Sequence, residues 1–157
     1  ITVTDFLLGQ YYLYEDALNS QEWNIESDSM KVVLGHECQK ATCSFRGRQW
    51  TAWFALDVPV SDGPWKFCGL PGLIMEVYDR GKQYYFCING MQQVSAKPIT
   101  FGVLDKEFKR FQKTSRKELL QSKYKYLKNR NSINEASTGI SLGGSDEALK
   151  YDLIEKE

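Results

Sequence analysis

A thiol and an imidazole stand two residues apart in His36-Glu37-Cys38, and His36 is the single histidine of the chain. In an extended segment, residues i and i+2 share a face. The His36 ring can therefore approach the Cys38 thiol, as a cysteine nucleophile requires of its base. No third group that would orient the imidazole is evident, and nothing singles out a carboxylate pair among the twenty acidic residues. Arg46 and Arg48 flank Gly47, and Lys66 follows Trp65. A guanidinium grips a carboxylate or phosphate through two parallel bonds, so these three cations are candidates for an anionic ligand. The plainer reading is an exposed turn paired with Asp57, Asp62 or Glu76. Trp50 and Trp53 point to opposite faces; one is core, and the other is covered by the C-terminal helix or is free to stack on a sugar or lipid.

Four cysteines, Cys38, Cys43, Cys68 and Cys87, are compatible with two disulfides in three alternative pairings. None lies in a CxxC, and one histidine leaves no second imidazole for a zinc site. No metal or cofactor is expected. The G-x-x-x-x-G-K-[ST] spacing of a phosphate loop is absent.

The elements that must hold these residues are mostly strands. Aromatic residues make up 13% of the 157-residue chain, a bias toward pleated surfaces. Residues 1–16 read as extended, with Tyr11 and Leu13 alternating with Tyr12 and Tyr14. Residues 36–45 and 49–58 form a hairpin around Arg46-Gly47-Arg48, Gly47 supplying the positive φ of the turn. In its return strand Trp50, Ala52, Phe54 and Leu56 share one face and Thr51, Trp53 and Ala55 the other, so this strand is central and covered on both sides. Residues 62–74 hold three Gly and two Pro together with Trp65, Phe67, Leu70, Leu73 and Ile74. Proline fixes φ and glycine opens conformations closed to other residues. This segment reads as a rigid, inward-packed crossing between strands, with Trp65 and Lys66 at the mouth of any groove it frames. Residues 73–78 and 83–88 form a further hairpin, and residues 94–101 a short strand.

From residue 105 the apolar period becomes helical, through Phe108, Phe111, Leu119, Leu120, Tyr124 and Leu127. Ser115-x-x-Glu118 reads as a capping box that splits the segment. Residues 131–147, rich in Asn, Ser and Gly, read as a loop. Net charge is zero, so no global field draws the chain to nucleic acid or a membrane. Residues 105–130 nevertheless hold ten basic and three acidic residues, a solvated helix face or a surface for an anionic partner. No apolar run reaches the ~18 residues of a membrane span. Ile1-Thr2-Val3-Thr4 reads as the middle of a strand, so a truncated chain is expected.

Gln39-Lys40-Ala41-Thr42, Phe45-Arg46-Gly47-Arg48, Ala52-Trp53-Phe54 and Gly63-Pro64-Trp65-Lys66-Phe67-Cys68-Gly69-Leu70-Pro71-Gly72-Leu73-Ile74 occur in this order. On these blocks the chain resembles the GLPGLI family. The resemblance implies an exported protein of Bacteroidota, in the periplasm or associated with the outer membrane, with an outer-membrane transport protein as a possible partner. It implies no catalytic residues. An exported location permits disulfides.

The expected fold is α+β, a predominantly antiparallel twisted or curved sheet with a basic C-terminal helical segment. Residues 1–130 form one β-rich domain, including helical residues 105–130, and residues 131–157 a flexible loop and tail. The expected function is a non-catalytic envelope accessory or binding module for an apolar or anionic ligand, with Arg46, Arg48, Trp53, Trp65 and Lys66 as contacts. The alternatives are a thiol enzyme or hydrolase using Cys38 and His36, and a structural domain completed by another chain or by further N-terminal strands.

Overall fold

The computed structural model describes residues 1–18, 21–96, 110–141 and 152–156. The chain divides into two compact units, Ala17–Pro98 and the pair Ile1–Asp16 with Ile99–Glu157. This differs from the single domain expected over residues 1–130. Among the described residues there are eight strands in two mostly antiparallel sheets and two helices, so the fold is α+β and mostly β.

The larger unit is a five-stranded sheet built from β3 (Asn24–Val33), β4 (His36–Phe45), β5 (Arg48–Ala55), β6 (Leu73–Asp79) and β7 (Tyr85–Cys87), ordered as in the chain. The hairpins β3–β4 and β4–β5 turn through Leu34-Gly35 and Arg46-Gly47, with φ of 49° and 82°, then 52° and 74°. These are the left-handed values of a two-residue turn matching strand twist. A non-glycine residue there costs about 1–2 kcal/mol. As its alternation predicts, β5 is the central strand, with Trp50, Ala52 and Phe54 fully buried on one face.

The Gly/Pro segment crosses from β5 to β6 and closes that face. Phe67 and Leu70 are each 1% exposed. The Phe67 ring meets Trp50 edge-on at 4.7 Å, Trp65 at 5.2 Å and Phe45 at 6.0 Å. Two side chains tie the segment down: Gln21 Nε2 donates to Lys66 O and Trp23 Nε1 to Cys68 O, each at 2.8 Å. Gly72 makes the crossing possible, because a Cβ there would lie 2.0 Å from Ala55 O. On the opposite face Val33, Cys38, Ala55 and Met75 form a second apolar cluster, with Trp53 packed against it.

The other unit holds a three-stranded sheet. The hairpin of β1 (Thr2–Leu7) and β2 (Gln10–Glu15) turns at Leu8-Gly9, and β8 (Gln112–Lys113) lies parallel to β2. Helix α1 (Arg116–Lys128) starts at the Ser115 capping box, as its spacing predicts, and buries Leu119 and Leu120. The helical reading of residues 105–130 is corrected at 112–113, which pair as a strand; residues 105–109 lie outside the described residues. The loop reading of 131–147 is also corrected, because α2 (Arg130–Thr138) ends in a left-handed Gly139. Residues 142–147 lie outside the described residues. Residues 94–96 form no strand, and the rest of the expected 94–101 strand is not described. In the C-terminal segment Glu155 is buried against Arg116.

Gly72→Ala is expected to cost about 1–3 kcal/mol through overpacking, whereas Gly90→Ala, which meets open space, stays within about 0.5 kcal/mol. Urea unfolding of both variants checks this. Hydrogen bonds from the Ser115 backbone first, then from the Ser115 and Thr114 hydroxyls, hold the Glu118 carboxyl below its usual range. That contribution is present above the unfolded pKa and is lost as pH falls through the folded one. The stability gap between wild type and Glu118→Ala should therefore be widest above about pH 5 and shrink in acid, as measured by thermal melts across pH.

Candidate functional site

The structure separates the expected ligand contacts. Arg48, the first residue of β5, faces the covered side of the sheet. Its Nη1 lies 2.8 Å from Asp79 Oδ2 and 3.1 Å from Gln83 Oε1, with the guanidinium over the Tyr84 ring at 4.7 Å. Both side chains of the pair are almost fully buried. Asp79 Oδ1 also accepts the Tyr84 N–H at 3.0 Å. This is an internal pin between β5 and the β6–β7 turn, and it corrects the reading of Arg48 as an exposed anion contact. Arg46 lies over the Phe45 ring at 5.0 Å. Lys66 is only 9% exposed and stands over Trp65 at 5.5 Å. Trp65, with φ 57°, packs its half-buried ring on Phe45, Trp50 and Phe67.

Trp53 sits on the other face of the sheet. Lys31 Nζ lies 4.7 Å from its ring centre and is also ion-paired to the buried Glu76 carboxylate. The five expected contacts thus do not converge on one groove.

The thiol–imidazole pair does not assemble either. Cys38 is fully buried, and its Sγ donates to the His36 backbone carbonyl at 3.5 Å rather than to the ring. Burial is the largest effect and raises its pKa; a backbone hydrogen bond at Val33 and then the Lys31 charge oppose it, and the Asp57 and Glu76 charges add to it. His36 Nδ1 lies 2.7 Å from Asp57 Oδ2. Burial pushes Cys43 up to about 12. The four cysteines stand free in this structure, Cys38, Cys43 and Cys68 buried and Cys87 exposed.

What does form is a cleft of about 490 Å³ in the larger unit, lined by Asp62, Gly63 and Pro64, by Leu73, Ile74 and Met75, and by β7 with Ile88. Its origin lies in how the outer edge of β6 is used. Leu73 N–H bonds Val58 O on the β5 side, so Ile74 N–H turns outward and bonds Asp62 O at 3.0 Å. Further along, Met75 O accepts Ile88 N–H at 2.9 Å, and β7 begins. The Gly/Pro segment and β7 meet the same edge and leave a notch between them. Leu73, Ile74 and Met75 give it apolar walls. Tyr85, 52% exposed, and the Cys87 thiol give it polar groups. The Tyr85 phenol is pushed up to about 12, by desolvation first, then by the Glu76 carboxylate and its hydrogen bonding with Cys87 and Glu76. None of the five expected contacts lines this cleft. The sequence pointed to a groove framed by residues 62–74 but not to β7 as its other wall, because residues 85–88 are ordinary strand residues. The one available signal was an aromatic pair, Tyr85-Phe86, in a strand that ends soon after at Asn89-Gly90.

The site and fold define an α+β chain with an apolar-walled cleft beside a rigid Gly/Pro crossing. The family model that matches, over residues 43–76, is described as a protein of unknown function (Porph_ging). It carries a different name from the family suggested by the motifs, so the GLPGLI assignment is not supported. No curated protein matches the chain. Among solved structures, the chain is similar to "Structure of PNGF-II in P21 space group" at 17% identity and TM-score 0.46, over 75% of this chain and 21% of that one. It is also similar to "Structure of PNGF-II in C2 space group" at 18% identity and TM-score 0.39, over 68% of this chain and 19% of that one. The chain thus spans about a fifth of the length of these proteins. Among the described residues, no helix is long and apolar enough to cross a membrane.

Arg48→Ala leaves a buried carboxylate without its cation and is expected to cost about 3–5 kcal/mol. Arg48→Met combined with Asp79→Leu should cost less, measured by the same urea unfolding. At pH 8, iodoacetamide should modify the native protein at Cys87 and spare Cys38, Cys43 and Cys68, with all four reacting after denaturation; peptide mass mapping reads this.

Proposed function

We propose that the protein is a non-catalytic binding module and that the cleft between the Gly/Pro segment and β7 is its ligand site. The supporting observation is the cleft itself: its volume of about 490 Å³ falls in the range of ligand sites, which combine apolar walls with a few convergent polar groups. The buried Cys38, whose thiol donates to a backbone carbonyl rather than to the His36 ring, favours this reading over a thiol enzyme.

The test is titration with N-phenyl-1-naphthylamine, a neutral apolar fluorophore. Saturable enhancement is expected, with amide shifts confined to residues lining the cleft, and Leu73→Trp, which fills it, should weaken binding at least tenfold. Absence of saturable binding, or shifts elsewhere on the wild-type protein, overturns the proposal whether or not the variant folds.

An exported location, in the periplasm or at the outer membrane, belongs to the same proposal and is supported by the Porph_ging family match over residues 43–76. Fractionation of the host should recover the protein outside the cytosol; cytosolic recovery refutes it. A second reading, a structural domain completed by another chain, is favoured by one observation. Strand β1 pairs with β2 on one side and, among the described residues, has no strand on the other.

A further inference from the structure

We infer that the cleft receives an extended peptide which adds as a strand to β7 and places an apolar side chain against Leu73, Ile74 and Met75, with a basic residue facing Asp62. The inference rests on the binding-module reading and names the ligand class.

The backbone supplies the first part of the argument. Asp79 N–H bonds Tyr84 O at 3.1 Å, and Ile88 N–H bonds Met75 O at 2.9 Å. Residues 84, 86 and 88 therefore turn their polar groups toward β6, and the alternation of a strand turns those of Tyr85 and Cys87 outward. Among the described residues, strand β7 is the last of its sheet. Its outward N–H and C=O groups are a template for strand addition, in which main-chain bonds give affinity and side-chain pockets give specificity. The pocket is already at hand, since Tyr85, Phe86, Cys87 and Ile88 all line the cleft.

Charge supplies the second part. Asp62 is exposed and is the only residue with a formal charge at neutral pH in the lining. Its Oδ1 accepts the Gly63 N–H at 2.8 Å, and its other carboxylate oxygen is open to a cation. Glu76, behind β7, is already paired to Lys31. Lys82, at the turn end of β7, lies over the Tyr78 ring at 5.2 Å. The lining thus favours a cationic segment over an anionic one, the reverse of what Arg46, Arg48 and Lys66 suggest from the sequence. It also disfavours a second copy of β7 as occupant, because residues 85–88 carry no basic side chain to meet Asp62.

The test uses the full chain, isotope-labelled, titrated with an acetylated octapeptide of alternating valine and lysine. Two controls accompany it: a glutamate-for-lysine counterpart, and the lysine peptide N-methylated at alternate residues in both possible phases, which removes strand-pairing donors without changing side chains. Amide shifts at residues 62–63, 73–75 and 85–88 are expected. The glutamate peptide and one N-methylated phase should each bind at least tenfold more weakly, and Asp62→Asn should erase the preference for lysine. Equal binding by both N-methylated phases, equal binding of the glutamate peptide to wild type, or shifts elsewhere overturns the inference. So does a dimer paired through β7 seen by sedimentation without peptide. If the naphthylamine fills the cleft and no peptide binds, the peptide inference alone fails; if neither binds, the binding-module reading fails with it.

Discussion

Everything in the larger unit depends on one close approach, the backbone of Gly72 against the carbonyl of Ala55. Glycine there lets the crossing segment return flush against the end of β5. That position lets Phe67 reach Trp50 and lets β6 begin in register with β5. A side chain at this point would lift the segment and open the aromatic cluster. Pairs of this kind contribute about 0.5–1.5 kcal/mol each beyond the area they bury. The two prolines and the carbonyl bonds from Gln21 and Trp23 hold the path from either side.

The cleft follows from the same constraint. A crossing that must return at Gly72 occupies the outer edge of β6 only at Ile74, and β7 occupies it only from Met75 onward. Neither segment can spread into the other's place without losing its own backbone bonds. The gap is therefore held by hydrogen bonds on both flanks and is not a packing defect. The Arg48–Asp79 pin stabilises the far end of the same region, where the β6–β7 turn leaves the sheet.

Much of this was legible in the residues. The alternation of β5 gave both its faces and its central place, and Ser115 with Glu118 gave the start of α1. The Gly/Pro segment declared itself as a crossing because rigid backbone and large apolar side chains coincide there. Arg46 and Arg48 look equivalent in sequence, yet Arg46 stands in the turn at φ 52° while Arg48 opens β5 on the covered face. Its partner Asp79 is 31 positions away, beyond any local pattern. Helix α2 was hidden because Asn, Ser and Thr are weak helix formers. Strand β8 has two residues and no period to read. The cleft was hidden because it depends on which edge of β6 each neighbour takes, which is a property of tertiary pairing.

The strand order has a consequence for assembly. In the five-stranded sheet every neighbour in space is also the next strand in the chain, so each pairing closes a modest loop and the sheet can zip up progressively. The small sheet is different: Tyr12 meets Gln112 across roughly a hundred residues. Closing so long a loop carries a large entropic toll while the intervening chain is random, and non-local pairing of this kind is slow. Once the intervening strands have collapsed into the larger sheet, the effective length of that loop shrinks. On a chain emerging from its amino end, β1 and β2 therefore wait for β8 until the larger sheet has folded behind them.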